Sequence, residues 1–394
     1  MNSVVSCAHR TGLELRTQRA AQLMQRWARR TGLLSGAPNQ RHLFTDALAV
    51  CTLLSLARES GQAHYLELAT QLVNAVHSTL GRHREDDLRE GWLSGLSERG
   101  ASAHPTWGGL RIGKPLPERR CDDALDELLE RERDGQYLHD LTLWMHALDQ
   151  LARHTHEPRY NTWARELAAV AWAAFSVQPG LTGTPALVWK MSIDLSRPLV
   201  ETMGHSDALA GLITCVQLQA TAAALHAGTE GPALTEERAG FEALAQATTT
   251  HDPLELGSLL THAWRVAQLQ EAGARFEPKL LPALLSSALE GLAGFAQHNG
   301  LSRPALSRLP FRELGLSIGL HALERLSARR ASRDTAALLK ALSPALRLGA
   351  EIDAFWLDAT NREASSWREP LDLNEVTLAT SLCTSGYLEF SPVS

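Results

Sequence analysis

The sequence predicts an all-α protein made of helical hairpins that close into a ring around a polar pocket. Three observations predict it. Apolar residues recur at spacings of three and four along most of the chain, the period of an amphipathic helix. The segments with that period are filled by Leu, Ala, Arg, Glu and Gln, all good helix formers. Pairs of these segments are joined by short turns, while two much longer loops, 81–136 and 177–205, interrupt the series.

The periodicity places helices at about 13–31, 44–60, 63–80, 137–155, 159–176, 206–226, 235–248, 254–272, 280–298, 311–327, 332–348 and 371–383. One hairpin turns near Ser60-Gly61 and another near His156-Glu157-Pro158. These two resemble each other: LARESGQAHYLELATQLVNAV from Leu56 aligns with LARHTHEPRYNTWARELAAVA from Leu151. Leu-Ala-Arg, a Tyr nine residues on, an Ala and a Leu match at one offset, so a helical hairpin is repeated. An open solenoid needs a short and uniform period. Here the connections are unequal, and long structured loops in compact domains usually carry function. A toroid of six hairpins, one domain over residues 1–394, accommodates both loops at one rim.

Composition narrows the function. The net charge is −6 over 394 residues, so no basic surface offers itself to nucleic acid. No stretch reads as the roughly 18–20 apolar residues that span a bilayer. Residues 1–15 lack the basic-then-apolar pattern of a signal peptide, so the expected location is the cytoplasm. The five cysteines (Cys7, Cys51, Cys121, Cys215, Cys383) are scattered with no CxxC pair. Cys51 and Cys215 fall in apolar helical runs and read as small buried hydrophobes. No metal and no other cofactor is expected: a zinc toroid would need Cys and His at the ring centre, and CDDALDE is a poor match to an Asp-rich metal cluster. P-loop, dinucleotide and nucleophile-elbow motifs are absent.

Several helices open on an acidic residue: Asp46, Asp140, Asp207, Asp252 and Asp372. Each serves as a cap taken singly, because a carboxylate accepts from the free N–H groups of a first turn. Taken together they say more. If alternate helices form an inner ring, their N-termini share one end of the cavity, and carboxylates and N–H groups converge on ligands rich in hydroxyls or oxyanions.

The two long loops hold the other chemistry. The first contains HPTWGGLRIGKPLPER, with Trp107, Arg111 and Lys114 around glycines, and then RDGQYLHD, where Asp134-Gly135 signals a tight turn before Tyr137 and His139. The second, WKMSIDLSRPLVETMGHSDALAGL, sets Trp189, Lys190, Asp194, Arg197, Glu201, His205 and Asp207 in an apolar run, with 188–193 as a short extended segment. Buried ions need partners, so Asp194 and Arg197 also suit a structural pair. Four tryptophans, Trp92, Trp107, Trp189 and Trp367, lie in loops. Such residues pack beneath the loop or line a binding surface.

Glycoside hydrolysis needs two carboxyl groups across the scissile bond. Asp134 and Asp194, one on each loop, are the expected pair, with Glu118 and Glu201 in reserve. A sugar epimerase or isomerase instead needs a base and an acid about one carbon, and His139 with His205 suit that. Arg111, Lys114, Lys190 and Arg197 would grip an anionic or polyhydroxylated ligand, Trp107 and Trp189 would stack on it, and Tyr137, Asp207 and Asp46 would line the pocket.

With its hairpins, unequal rim loops and Trp/His/Asp-rich mouth, the chain resembles the six-hairpin (α/α)6 toroid superfamily over about residues 13–390. That group includes glycoside hydrolases and N-acylglucosamine 2-epimerase-like isomerases. The resemblance is architectural, and no catalytic motif of either branch aligns residue by residue. It implies a carbohydrate-active enzyme with a small sugar or anionic sugar as partner. A toroid that binds a ligand or protein without turnover is the remaining expectation.

Overall fold

The computed structural model describes residues 2–35, 40–177, 186–201, 206–297 and 300–390. Its helices are α1 (Asn2–Arg30), α2 (Leu43–Ser60), α3 (His64–Leu80), α4 (Glu98–Ala103), α5 (Glu127–Glu130), α6 (Leu138–Thr155), α7 (Pro158–Phe175), α8 (Asp207–Ala224), α9 (Thr235–Leu244), α10 (Pro253–Glu271), α11 (Leu280–Gln297), α12 (Pro310–Ser327), α13 (Arg333–Leu342), α14 (Leu346–Leu357), α15 (Ser365–Arg368), α16 (Leu371–Leu382) and α17 (Ser385–Leu388). Among the described residues the strands are two or three residues long: β1 (Gln136–Tyr137), β2 (Ser176–Val177), β3 (Ala186–Leu187), β4 (Lys190–Met191) and β5 (Pro198–Val200). The all-α class follows the sequence expectation, and helices joined by short turns pack against each other, α6 on α7 and α10 on α11 among them.

Helix boundaries differ where proline intervenes. The sequence suggests one helix over 332–348. The chain instead ends α13 at Leu342, makes a 3-10 turn at Ser343–Ala345 and begins α14 at Leu346. Pro344 has no N–H to continue the ladder and its ring crowds the preceding turn. The helix that follows, α14, went unpredicted. A second correction concerns α11, which by length and composition is apolar enough to cross a membrane. It packs against α10 and α13.

The chain divides into two compact units. The first comprises Met1–Arg30, Cys51–Glu67 and Ala247–Phe390; the second comprises Thr31–Val50, Leu68–Gln246 and Ser391–Ser394. In the first unit α10 lies against α12, α12 also meets α14 and α16, and α16 meets α1. Gly257, Gly315 and Gly319 form the α10–α12 contact, where a Cβ on any of them would collide with the facing helix. A buried Asp353 accepts from Ser317 Oγ at 2.7 Å and from Arg16 at 3.0 Å, with His321 Nε2 at 3.2 Å. These residues bring α1, α12 and α14 together. Trp367 stacks on Trp356, ring centroids 5.7 Å apart, so this loop tryptophan packs inward.

In the second unit α6 and α7 form a hairpin whose turn places His156 in the left-handed region (φ 57°), with Pro158 opening α7. Helix α8 packs on α6 and α7, and α9 lies against α8 and α7. Asp149 is fully buried among them. It accepts from Gln217 Nε2 at 2.6 Å, Thr221 Oγ1 at 2.9 Å, Asn161 Nδ2 at 2.9 Å and Arg153 Nε at 3.2 Å. Cys51 and Cys215 are buried, as expected.

Two outcomes follow. Asp149→Ala strands four buried donors and should cost about 3–5 kcal/mol in denaturant unfolding. For His321, burial opposes the charge, but hydrogen bonds to Asp353 and Glu324 raise its pKa above the usual value. Its contribution is therefore full below about pH 6.5 and fades as pH rises through the folded value. His321→Gln should lower the melting temperature more at pH 6 than at pH 8.5.

Candidate active site

The N-termini of α2, α6 and α8 all lie within the second unit. Phe44, in the first turn of α2, stacks on His139 of α6, with centroids 5.7 Å apart and planes at 19°. The acidic residues of these first turns are Asp46, Asp140 and Asp207, which are 2%, 5% and 2% exposed. They do different things. Asp46 accepts from the backbone N–H of His42 at 3.1 Å and faces Arg41 at 3.6 Å, a local cap. Asp140 makes no cap and accepts no hydrogen bond from any described residue.

Burial therefore dominates the Asp140 carboxyl and pushes its pKa up to about 6. Asp207 adds to the rise by like charge, while His139 and Lys114 oppose it. For His42, just before α2, burial and the Lys114 charge lower the pKa to about 4, against the pull of Asp134. Its Nδ1 is buried without a hydrogen-bond partner. The cluster thus offers a carboxyl that changes protonation near neutrality, a neutral imidazole, a second histidine and an amine.

Asp134 builds the frame. Its carboxylate is fully buried and accepts from Arg111 at 2.5 Å, Arg84 at 3.3 Å and the backbone N–H groups of Gly113 (2.9 Å), Lys114 (3.3 Å) and Gly135 (3.0 Å). Gly113, at φ 90°, lies so close to the Arg41 carbonyl that a Cβ would collide with it. Arg111 is likewise fully engaged, donating also to the carbonyls of Arg82 and Thr79. Asp194 is held near the surface. Some burial works against ionisation, but hydrogen bonds from Ser196 and Ser192, with the Arg89 charge, bring its pKa down to about 2. Arg89 binds it at 2.6 Å and also Glu118 at 2.6 Å, so Asp194 pairs with Arg89. Asp134 and Asp194 share no partner in these contacts.

The remaining candidates separate into groups. Tyr137 and Trp189 stack at 4.9 Å. They line a cavity of about 460 Å³ beside the antiparallel sheet β1-β4-β5. Lys190 is fully buried beneath, donating to Glu130 Oε1 at 2.8 Å and to the carbonyls of Glu130 and Arg133. Arg197 donates to the Arg119 carbonyl. Trp107 is 48% exposed and stacks on His104 at 4.6 Å, whose Nδ1 lies 2.7 Å from Glu166. Trp92 is packed, its indole N–H on Glu98. His205 lies outside the described residues. Among the described residues no group of three or more His, Cys, Asp or Glu could hold a metal ion.

His42 was not among the sequence's site residues, and Asp140 was named only within the helix-opening set and RDGQYLHD, with no catalytic role. The signal for Asp140 was present in the set of helix-opening aspartates. What singles it out, the lack of a partner, is a tertiary fact.

No protein-family model matches the chain, and no curated protein shows detectable sequence similarity. Solved structures do. Cellobiose 2-epimerase from Bacillus thermoamylovorans B4167 is 11% identical with a TM-score of 0.49, over 86% of this chain and 87% of that one. Cellobiose 2-epimerase from Spirochaeta thermophila DSM 6192 is 13% identical with a TM-score of 0.47, over 86% of each chain. At that identity and TM-score the likeness says nothing of this chain's residues or reaction.

A titration tests the site directly. The Asp140 carboxyl carbon, followed by NMR with Asp140→Asn as the assignment control, should titrate near pH 6. Because its pKa is raised on folding, Asp140 contributes most below about pH 4 and its ionisation penalises the folded state above pH 6. Asp140→Asn should then stabilise the protein at pH 8 by about 2–3 kcal/mol, a gain that vanishes at pH 4.

Proposed function

We propose that the chain is a carbohydrate-active enzyme that transfers a proton at a sugar carbon, an epimerase or isomerase, with Asp140 as the base. The observation that supports this is the buried Asp140 carboxyl, which accepts no hydrogen bond from any described residue and whose pKa burial raises to about 6. A carboxylate of that basicity is ionised at neutral pH yet takes up a proton more readily than an ordinary one. His139, on the same first turn, is the acid that protonates the carbonyl oxygen. The Asp140 carboxylate removes the proton from the carbon next to the carbonyl while His139 delivers one to the oxygen, giving an enediol. After the enediol turns its other face to Asp140, the carboxyl returns its proton to the carbon and His139 takes back the oxygen's, which gives the epimer and restores both groups. Lys114 and the N–H groups of the first turns of α6 and α8 favour the negative charge that develops on the oxygen.

Asp134 and Asp194 take other parts in this reading. Asp134 fixes the Gly113–Lys114 backbone, and Asp194 anchors its loop through Arg89. A reaction of this class is carried in the names of the two epimerase structures, but the proposal rests on Asp140. Hydrolysis of a glycosidic bond is the second reading, favoured by two buried carboxyls, Asp140 and Asp207, near enough for the charge of one to act on the other.

Deuterium exchange distinguishes the two. In D2O, aldoses and reducing disaccharides should gain deuterium at the carbon beside the carbonyl, at a rate that rises with pH through about 6. Asp140→Asn should slow it by about 10²–10⁴-fold with the fold intact. Cleavage without exchange would transfer the assignment to hydrolysis. Binding with neither would leave a non-catalytic sugar-binding protein.

A further inference from the structure

The cavity beside the sheet β1-β4-β5 belongs to neither the proton-transfer cluster nor the Asp134 frame. Its walls are Tyr137 and Trp189, with Leu125, Pro198, Leu199 and Val200. A volume of about 460 Å³ suits a small organic ligand. Both rings are half-buried, so part of each aromatic surface is open.

The inner polar groups of this cavity, Arg119 and Glu130, are already engaged. Arg119 donates to Glu130 at 3.1 Å and to the carbonyls of Asp123 and Leu199. Glu130 holds Arg119 and Lys190. Glu127, Arg131 and Glu201 are exposed at its edge. A second sugar ring placed here would regain bonds only at the edge, from Glu127, Arg131 and Glu201, and its hydroxyls facing the inner wall would lose hydration without a partner. An aromatic ring carries no such cost and gains stacking against the open faces of Tyr137 and Trp189.

Tyr137 joins the cavity to the acid/base group. It precedes Asp140 by three residues at the start of α6, and residues at that spacing neighbour each other on a helix. The Asp140 charge also acts on the Tyr137 phenol, whose pKa burial has already raised. We propose that this cavity is a binding site for a planar aromatic group, so that the substrate class is a sugar carrying an aryl substituent rather than a chain of sugars. The assignment of a sugar rests on the proposed function; the aromatic site does not.

The test uses phenol, phenyl β-glucoside, methyl β-glucoside and a β-linked glucose disaccharide as probes of the full chain, read by quenching of tryptophan fluorescence and by calorimetry. Phenol alone should bind, and phenyl glucoside should bind at least tenfold more tightly than methyl glucoside. Trp189→Ala should abolish that difference, and Trp189→Phe should restore most of it. The Asp140→Asn variant should keep phenol binding, because the cavity does not depend on the proton-transfer group. Phenol binding without any sugar response would uphold the aromatic site and overturn the sugar reading. A disaccharide bound in a Trp189-dependent way with phenol silent would overturn the aromatic site and leave the sugar reading standing. Silence from both phenol and phenyl glucoside would also overturn it.

Discussion

The second unit depends on one buried carboxylate. Asp134 sits at zero exposure and satisfies two guanidinium groups and three backbone N–H groups at once. A charge so placed needs all of these partners, since an unpaired ion in that environment costs several kcal/mol. In return it ties the Gly113–Lys114 turn to the strand β1 that leads into α6. Ile112 N–H donates to the Gly135 carbonyl and Leu43 N–H to the Ile112 carbonyl, so the start of α2 is set by the same loop. The position of every group in the proton-transfer cluster follows from that arrangement.

Six residues on, Asp140 shows the opposite outcome for the same side chain. Both carboxyls are buried. Asp134 is surrounded by donors, whereas Asp140 meets no hydrogen-bond donor among the described residues and stands near Asp207. A saturated carboxylate is a structural part, because nothing is left for a substrate. An unsaturated one holds its proton to higher pH and stays available. The difference comes from the partners each meets, and no feature of residue type or local sequence distinguishes the two.

The first unit carries its own buried polar sets, yet these read as ties between helices. Arg308 and Glu313 pair with Trp356 Nε1 on the same carboxylate, and Asp353 gathers Arg16, Ser317 and His321. Each member meets another within the set. Loop tryptophans follow the same division. Trp92 and Trp367 fill packing space, while Trp189 lines a cavity and Trp107 stays half in solvent beside His104.

Helix positions were legible in the sequence because a 3.6-residue apolar period is local, as are the Pro and Gly signals that end it. The exceptions have local causes: Pro344 divides one expected helix, and α14 behind it was missed. The gathering of helix-opening aspartates was legible as a pattern. The role of each member was not, because a carboxylate's protonation depends on which donors and charges surround it, and those arrive from distant segments. So the sequence by itself determined an all-α chain of hairpins, with its polar loops and acidic helix starts. Only the tertiary structure decided that Asp134 is enclosed by donors, that Asp194 pairs with Arg89 and that Asp140 meets no hydrogen-bond donor among the described residues, because desolvation and charge coupling are properties of assembled surroundings.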